Sequence, residues 1–247
     1  MANISGTPTI SGVDLYTSSP TRVSGYQVGD LIFGQNGKGF RYSLNGVAAL
    51  VMGNLVQASA IDTTYTNMVV AVAGAVGDTS LRVTNGTATI TSQQFEGGSL
   101  SVYTAGTVAV GDEYTILAVT GTLTTGGALT VHLDRPLRAI FSTSATVNMR
   151  RSPWSGVIQS IATTITGSIA GVAPFAATAS EYCWLQTKGV GAVLSDGSSI
   201  IVGSGVVGGS TATAGACTLQ IAGFPYVGMA MQAAAAGKAI AVKLQID

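Results

Sequence analysis

The sequence predicts an all-β protein, with short antiparallel strands and hairpins in a sandwich or barrel-like arrangement and an extended N-terminal arm. Three observations carry this. The 33 glycines are scattered along the 247 residues with no fixed period. The stretches between them are short and rich in Val, Ile, Thr, Tyr and Ala, of which the β-branched and aromatic residues favour a pleated, half-buried surface. Where a stretch is long enough to show a period, apolar and polar residues alternate with period two, which fits a strand and not a helix.

Along the chain, residues 1–24 hold Gly6, Pro8, Gly12, Ser18, Ser19, Pro20 and Ser24 with few large apolar side chains, so this stretch reads as an extended arm with no core of its own. Asn36-Gly37, Asn45-Gly46, Asn85-Gly86 and Asp196-Gly197 supply residues that tolerate positive φ, and each marks a candidate type I′ hairpin. The clearest runs from Leu81 to Thr91: Leu81 and Val83 precede the turn, and Thr87, Ala88, Thr89 and Ile90 follow it. Gly29-Asp30, Gly77-Asp78 and Gly111-Asp112 each follow a valine and lead toward another apolar run, a recurring step from turn to strand.

The C-terminus is the cleanest strand. Ile240, Val242, Leu244 and Ile246 share one face, with Ala241, Lys243, Gln245 and Asp247 on the other. Met229 to Lys238 is alanine-rich, but Gly237 interrupts it and no polar face develops, so a turn between two strands is expected there. A composition change between Ile161 and Gly171 places a division, giving an arm at 1–24, a β domain at 25–160 and a compact C-terminal β domain at 161–247.

Composition narrows the function classes. Hydrophobic residues make up 47%, enough for a packed core, while charged residues make up 9%, against the roughly 25% usual for globular domains. Eleven basic and eleven acidic side chains leave a net charge of +0, which offers no steering toward nucleic acid or an anionic membrane, and neither partner is expected. Few charges also mean little repulsion between molecules, which suits a protein whose normal state is an assembly. The opening MANISGTPTI has neither the basic start nor the apolar stretch of a secretory signal, so synthesis in the cytosol is expected. Cys183 and Cys217 are too few for a disulfide framework or a zinc site, and packed, reduced thiols are expected.

Candidate sites follow the same restraint. Gly203, Gly205 and Gly208 match G-x-G-x-x-G, but the following GSTATAG favours turn and strand over the helix that must meet a pyrophosphate, so no cofactor is expected. His132 is the single histidine, with Asp134 two residues on, and no G-x-S-x-G elbow accompanies it. Glu96, Glu113 and Glu181 sit in turn-like surroundings, and no catalytic or metal-binding residue is expected. Asn3-Ile4-Ser5 and Asn85-Gly86-Thr87 are sequons that stay unmodified without secretion. Tyr182 and Trp184 alternate with Cys183 and Leu185, an aromatic pair on one face suited to core packing. Arg135, Arg138, Arg150 and Arg151, with Trp154 close behind, form the one local excess of charge. A solvated strand edge accounts for it; the sharper expectation is a protein interface, because Arg and Trp are enriched among residues that carry binding energy.

Four segments, GKGFRYSLNGVAALVMGNLVQ, HLDRPLRAIFSTSATVNMRRSPWSGVIQ, GVAPFAATASEYCWLQTKGVGAVL and FPYVGMAMQAAAAGKAIAVKLQID, resemble phrases of head decoration proteins of tailed bacteriophages. The carrying features are a Trp-Leu-Gln step, a Gly-x-Ala-Val-Leu step, the Val227-Gly228-Met229-Ala230 phrase and a final alternating strand. The resemblance implies a non-enzymatic virion protein on the outer capsid surface, often trimeric, seated at local threefold positions on the major capsid protein and bracing neighbouring capsomers. The N-terminal arm would then reach onto the capsid or a neighbouring subunit. Residues 60–130 carry none of these phrases and set the chain apart from the smallest decoration proteins. The alternatives are another virion component, such as a head fibre base, tail or baseplate protein, and a carbohydrate-binding β-sandwich using exposed Trp and Tyr.

Overall fold

The structure is a computed structural model that describes residues 14–86, 89–91, 93–104, 110–163, 165–197, 199–208, 213–234 and 237–247. Among them are 16 strands and no α-helix; two single 3-10 turns, Gln35–Gly37 and Thr63–Tyr65, complete the regular structure. The first three strands are β1 (Leu31–Phe33), β2 (Gly39–Asn45) and β3 (Leu55–Gln57). Next come β4 (Met68–Val72), β5 (Ser80–Thr84), β6 (Ser99–Thr104), β7 (Glu113–Gly121), β8 (Ala128–Leu133) and β9 (Thr146–Arg150). The remainder are β10 (Ser155–Gln159), β11 (Ile169–Val172), β12 (Tyr182–Leu194), β13 (Gly205–Gly208), β14 (Cys217–Leu219), β15 (Tyr226–Ala230) and β16 (Ala239–Gln245).

Packing divides the chain into two compact units, Ile61–Ser155 and the discontinuous pair Met1–Ala60 with Gly156–Asp247. The division expected at residue 161 does not coincide with these units. The physical reason is strand pairing: β2 and β3 find partners in β10, β11 and β12, which come after the whole 61–155 stretch.

The contiguous unit is a closed antiparallel barrel in the order β4-β5-β8-β7-β6-β9. Strands β6, β7 and β8 run as a meander and β9 returns beside β6, which is Greek-key connectivity. Alternation fills the interior: Leu129, Val131 and Leu133 of β8 point inward with Tyr114 and Ile116 of β7 and Leu100 and Val102 of β6. Each such burial stabilises the fold by roughly 1.5–3 kcal/mol, and a barrel this small is packed by its own side chains. Gly98 enters β6 where only a glycine fits, because a Cβ there would run into the carbonyl oxygen of Arg150.

The discontinuous unit is a ten-stranded sheet, β1-β2-β10-β3-β11-β12-β16-β15-β13-β14, with β2 also paired to β12. Strand β12 is 13 residues long; Tyr182 to Lys188 pair with β2, and Lys188 to Leu194 pair with β16. One core lies under β12, β16, β15 and β13, built on Leu55, Val193, Val206, Val227 and Val242. A second is aromatic: Phe40, Tyr42 and Trp184, with Tyr182 stacked on Tyr42 at 5.6 Å between ring centroids. Trp184 and Tyr182 are therefore core-packing residues, as their alternation predicts.

Residues 14–24 of the anticipated arm lie on this second core. Ser19 and Tyr182 exchange backbone hydrogen bonds at 2.9 and 2.8 Å, and the Val23 N–H donates to the Tyr42 hydroxyl at 2.8 Å. Gly6, Pro8, Gly12 and the Asn3 sequon lie outside the described residues.

The hairpin expectations divide by the fate of the asparagine. Asn36-Gly37 turns β1 into β2 with φ of 59° and 69°, as a type I′-like turn requires. Asn45 and Asn85 do not make hairpins. Each is buried at a strand end with its amide turned inward: Asn45 Nδ2 donates to the carbonyls of Ala48 and Thr178, and Asn85 Nδ2 to those of Leu123 and Thr124. Burial of Asn85 also removes it as a glycan acceptor in the folded chain. Thr87 and Ala88 of the expected Leu81–Thr91 hairpin lie outside the described residues, and Thr89 and Ile90 are not in a strand. Gly197 has a φ of 84°, but Asp196-Gly197 joins no hairpin, because β12 pairs with β16 and β13 with β14 and β15.

The Val-Gly-Asp steps are real turns. Gly29, Gly77 and Gly111 all have positive φ. In the first two the aspartate closes the turn on itself: Asp30 Oδ2 accepts the Gln27 N–H at 2.8 Å and Asp78 Oδ2 the Ala75 N–H at 2.7 Å.

Candidate interface patches

All five interface candidates fall in the contiguous unit, on and beside the barrel wall. Arg138 and Arg135 gather around the start of β7. The Tyr114 hydroxyl donates to Asp112 Oδ2 at 2.6 Å and accepts the Arg138 backbone N–H at 3.1 Å, while the Arg138 guanidinium pairs with the same carboxylate. The Arg135 guanidinium donates to the Glu113 carbonyl and lies 4.9 Å from the centre of the Tyr114 ring. Burial of the Asp112 side chain pushes its acidity toward the neutral form, but the hydrogen bonds from Tyr114 and Arg138 outweigh this and hold it below the usual carboxylate range. Burial, followed by the hydrogen bond to Asp112, raises Tyr114 above the ordinary phenol value.

Arg150, Arg151 and Trp154 lie around the end of β9. Arg150 stands opposite Ser99, and Ser99 opposite Thr115, so the register sets the three in one outward row across β9, β6 and β7. Thr115 in turn exchanges hydrogen bonds with Asp134, the residue before Arg135. With strands about 4.8 Å apart, the row spans roughly 10 Å and brings Arg150 and Arg135 onto one wall. Arg151 turns away from it: with the Gln94 amide oriented oxygen-first, Oε1 accepts from Arg151 Nη2 at 2.6 Å. Its charge also assists Asp62, whose carboxyl is held low first by hydrogen bonds from Thr64. Trp154 is half-buried in the turn between Ser152 and Ser155. Arg135, Arg138 and Arg150 are thus exposed, and Arg151 is half-buried and partly committed to its own loop.

The remaining sequence candidates sit in structural roles. Gly205 and Gly208 lie in β13, paired on both sides, and Gly203 is in the preceding turn, so the glycine fingerprint has no helix at its end among the described residues. His132 Nε2 is 3.1 Å from Thr120 Oγ1 on the neighbouring strand, and Asp134 Oδ1 accepts the Thr115 N–H at 2.9 Å. The two engage different partners on β7. Glu181 accepts a hydrogen bond from the Ser18 hydroxyl, tying residues 14–24 down. Cys183 and Cys217 are buried free thiols, each pushed up to about 12 chiefly by that burial, and both are therefore protonated and unreactive at neutral pH. Among the described residues no group of three or more His, Cys, Asp or Glu is placed to hold a metal ion.

What sequence reasoning missed is the large number of apolar side chains on outward strand faces. Val69, Leu117, Val190 and Met229 are each between 42 and 49% exposed. Period-two alternation identifies a buried face, and it does not signal that the opposite face is apolar as well. Comparison of the chain with protein-family models, with curated proteins and with solved structures finds no match.

Proposed function

We propose that this chain is a virion structural protein that binds the outer surface of a tailed-phage head and stabilises contacts between capsomers, with the major capsid protein as its partner and a homo-trimer as its working form. The observation that supports this reading is the placement of the phrases that carry the resemblance. Three of the four segments, distant in sequence, supply β2 and β3, β11 and β12, and β15 and β16, which are neighbours in one sheet. The stretch without such phrases forms most of the separate barrel. The fourth segment supplies β9 of the barrel and β10 of the sheet, so three of the four phrases meet in one sheet and the fourth runs from the barrel into it.

The physical requirements of the role agree. A decoration protein needs rigid sheets and apolar contact area more than an activated side chain, and only 9% of the residues are charged. In this reading Arg150, Arg135 and Arg138, with Arg151 and Trp154, form a contact patch on the barrel.

The test uses heads assembled from the major capsid protein encoded in the same genome and lacking this chain. Purified protein is expected to bind them in a fixed ratio and to raise the temperature at which they rupture. Replacing Arg150, Arg151 and Trp154 by alanine is expected to lower occupancy with the fold retained by circular dichroism. Absence of saturable binding to heads defeats the reading, and unchanged occupancy of the triple variant removes the patch from it.

A further inference from the structure

In the discontinuous unit, one outward sheet face is apolar and basic at once. Strands β15, β16 and β12 run side by side, with Met229 opposite Lys243 and Lys243 opposite Val190. One step along, Gln245 stands opposite Lys188 and accepts a hydrogen bond from the Tyr226 hydroxyl at 3.2 Å. Met231 extends the face, its N–H donating to the Ala241 carbonyl at 2.8 Å. Met229, Met231 and Val190 are 42, 51 and 42% exposed, although the inner faces of the same strands already bury Val227, Val242 and Leu244. An antiparallel sheet with one wet face ordinarily carries polar residues there. Large apolar side chains on both faces mark a surface that is covered in use.

The charges on this face say what covers it. Lys243 is exposed on it, Lys188 is half-buried with its ammonium 5.8 Å from the centre of the Phe33 ring, and Lys38 borders a depression of about 250 Å³ beside Val190. The carboxylate that borders this face, that of Asp247, pairs with Arg41 at 2.8 Å. Two copies of this face would bring the same sign of charge together, so self-pairing through it is disfavoured. Two methionines at the centre are unbranched and adapt their shape to a partner.

We infer that this face docks a protein surface on which carboxylates are interspersed with apolar side chains, and that the partner is a patch of that chemistry on the major capsid protein. The inference rests on the head-surface reading and adds to it a second contact, separate from the arginine patch on the barrel. The lysines steer and register the contact, and Val190, Met229 and Met231 supply its dehydrated centre.

The experiment measures occupancy on the same undecorated heads for three proteins: the unmodified chain, Lys188→Glu with Lys243→Glu, and Met229→Ser with Met231→Ser. Met229, Met231 and Lys243 are exposed and Lys188 is half-buried beside Phe33, so the melting temperature of each variant is read beside its occupancy. Each pair is expected to weaken binding by at least about tenfold, with the lysine pair also flattening the salt dependence. If the unmodified chain binds and both variants bind equally well, this inference is overturned while the head-surface reading stands. If the unmodified chain does not bind, both fall together. Should either pair melt early, the other pair decides. Binding to phosphatidylglycerol vesicles, lost in the lysine pair, with no lysine dependence on heads, would assign the face to a membrane and also overturn the inference.

Discussion

The two units reach stability by different routes. The barrel of residues 61–155 is contiguous and closed, so its strands leave no open sheet edge. The other unit assembles from segments on both sides of that stretch, and its sheet ends in two short strands, β1 and β14, of three residues each. The first needs only its own chain to complete every strand pair, whereas the second requires residues 31–57 and 155–245 together. The contrast teaches that one composition, poor in charge and rich in glycine, supports both a barrel closed within one stretch of chain and a sheet that depends on long-range pairing. The second kind must meet the larger cost of loop closure before its contacts form.

The largest expected effect follows from that contrast. Residues 61–155 expressed alone are expected to fold with a cooperative thermal transition and a β-type far-ultraviolet spectrum, while residues 156–247 alone are expected to remain unfolded. Folding of the C-terminal fragment by itself would break the comparison.

Next in size, Trp184→Ala is expected to cost the discontinuous unit about 3–5 kcal/mol in denaturant unfolding. Trp184 is 2% exposed and packs on both Tyr42 and Tyr26. Hydrogen exchange within β6 to β8 is expected to stay at its original level in that variant, which localises the loss. A smaller loss, about 1–3 kcal/mol, is expected for Asn45→Ala, because the buried amide ties the end of β2 to the Thr178 carbonyl. Asn85→Ala should cost a similar amount in the barrel, where the same device links nearer parts of the chain.

The smallest effect is electrostatic and confined to acid. The folded-state acidity of Asp112 lies below its unfolded value, so its contribution is fully present above the unfolded value near pH 3.9 and fades as pH falls through the folded value. Asp112→Asn is expected to remove that part of the acid-side loss of barrel stability, read as a flatter dependence of melting temperature on pH below about 4. An unchanged acid profile would mean that the Arg138 and Tyr114 contacts contribute nothing in solution.

Legibility in the sequence followed the range of the interactions. The alternation of Ile240, Val242 and Leu244 and the Val-Gly-Asp turns at Gly29 and Gly77 are set within a few residues, and the structure has them where the sequence places them. Asn36-Gly37 is read correctly for the same reason. Asn45-Gly46 and Asn85-Gly86 look identical to it locally, yet each asparagine is drawn into the interior by carbonyls supplied from elsewhere in the chain, and no local signal distinguishes the two fates. Barrel closure and the split of the second unit depend on which strand meets which, and period-two patterning leaves that open. The arginine cluster was visible as composition, while the apolar and basic face of β12, β15 and β16 needed the register to bring Val190, Lys243 and Met229 into one row.

The most direct test of the account is a reconstruction of virions produced with this chain carrying a compact fused label. The account predicts label density on the outside of the head, repeated at fixed positions between capsomers and absent from the tail. Density confined to the tail, or virions that contain none of the chain, would contradict it.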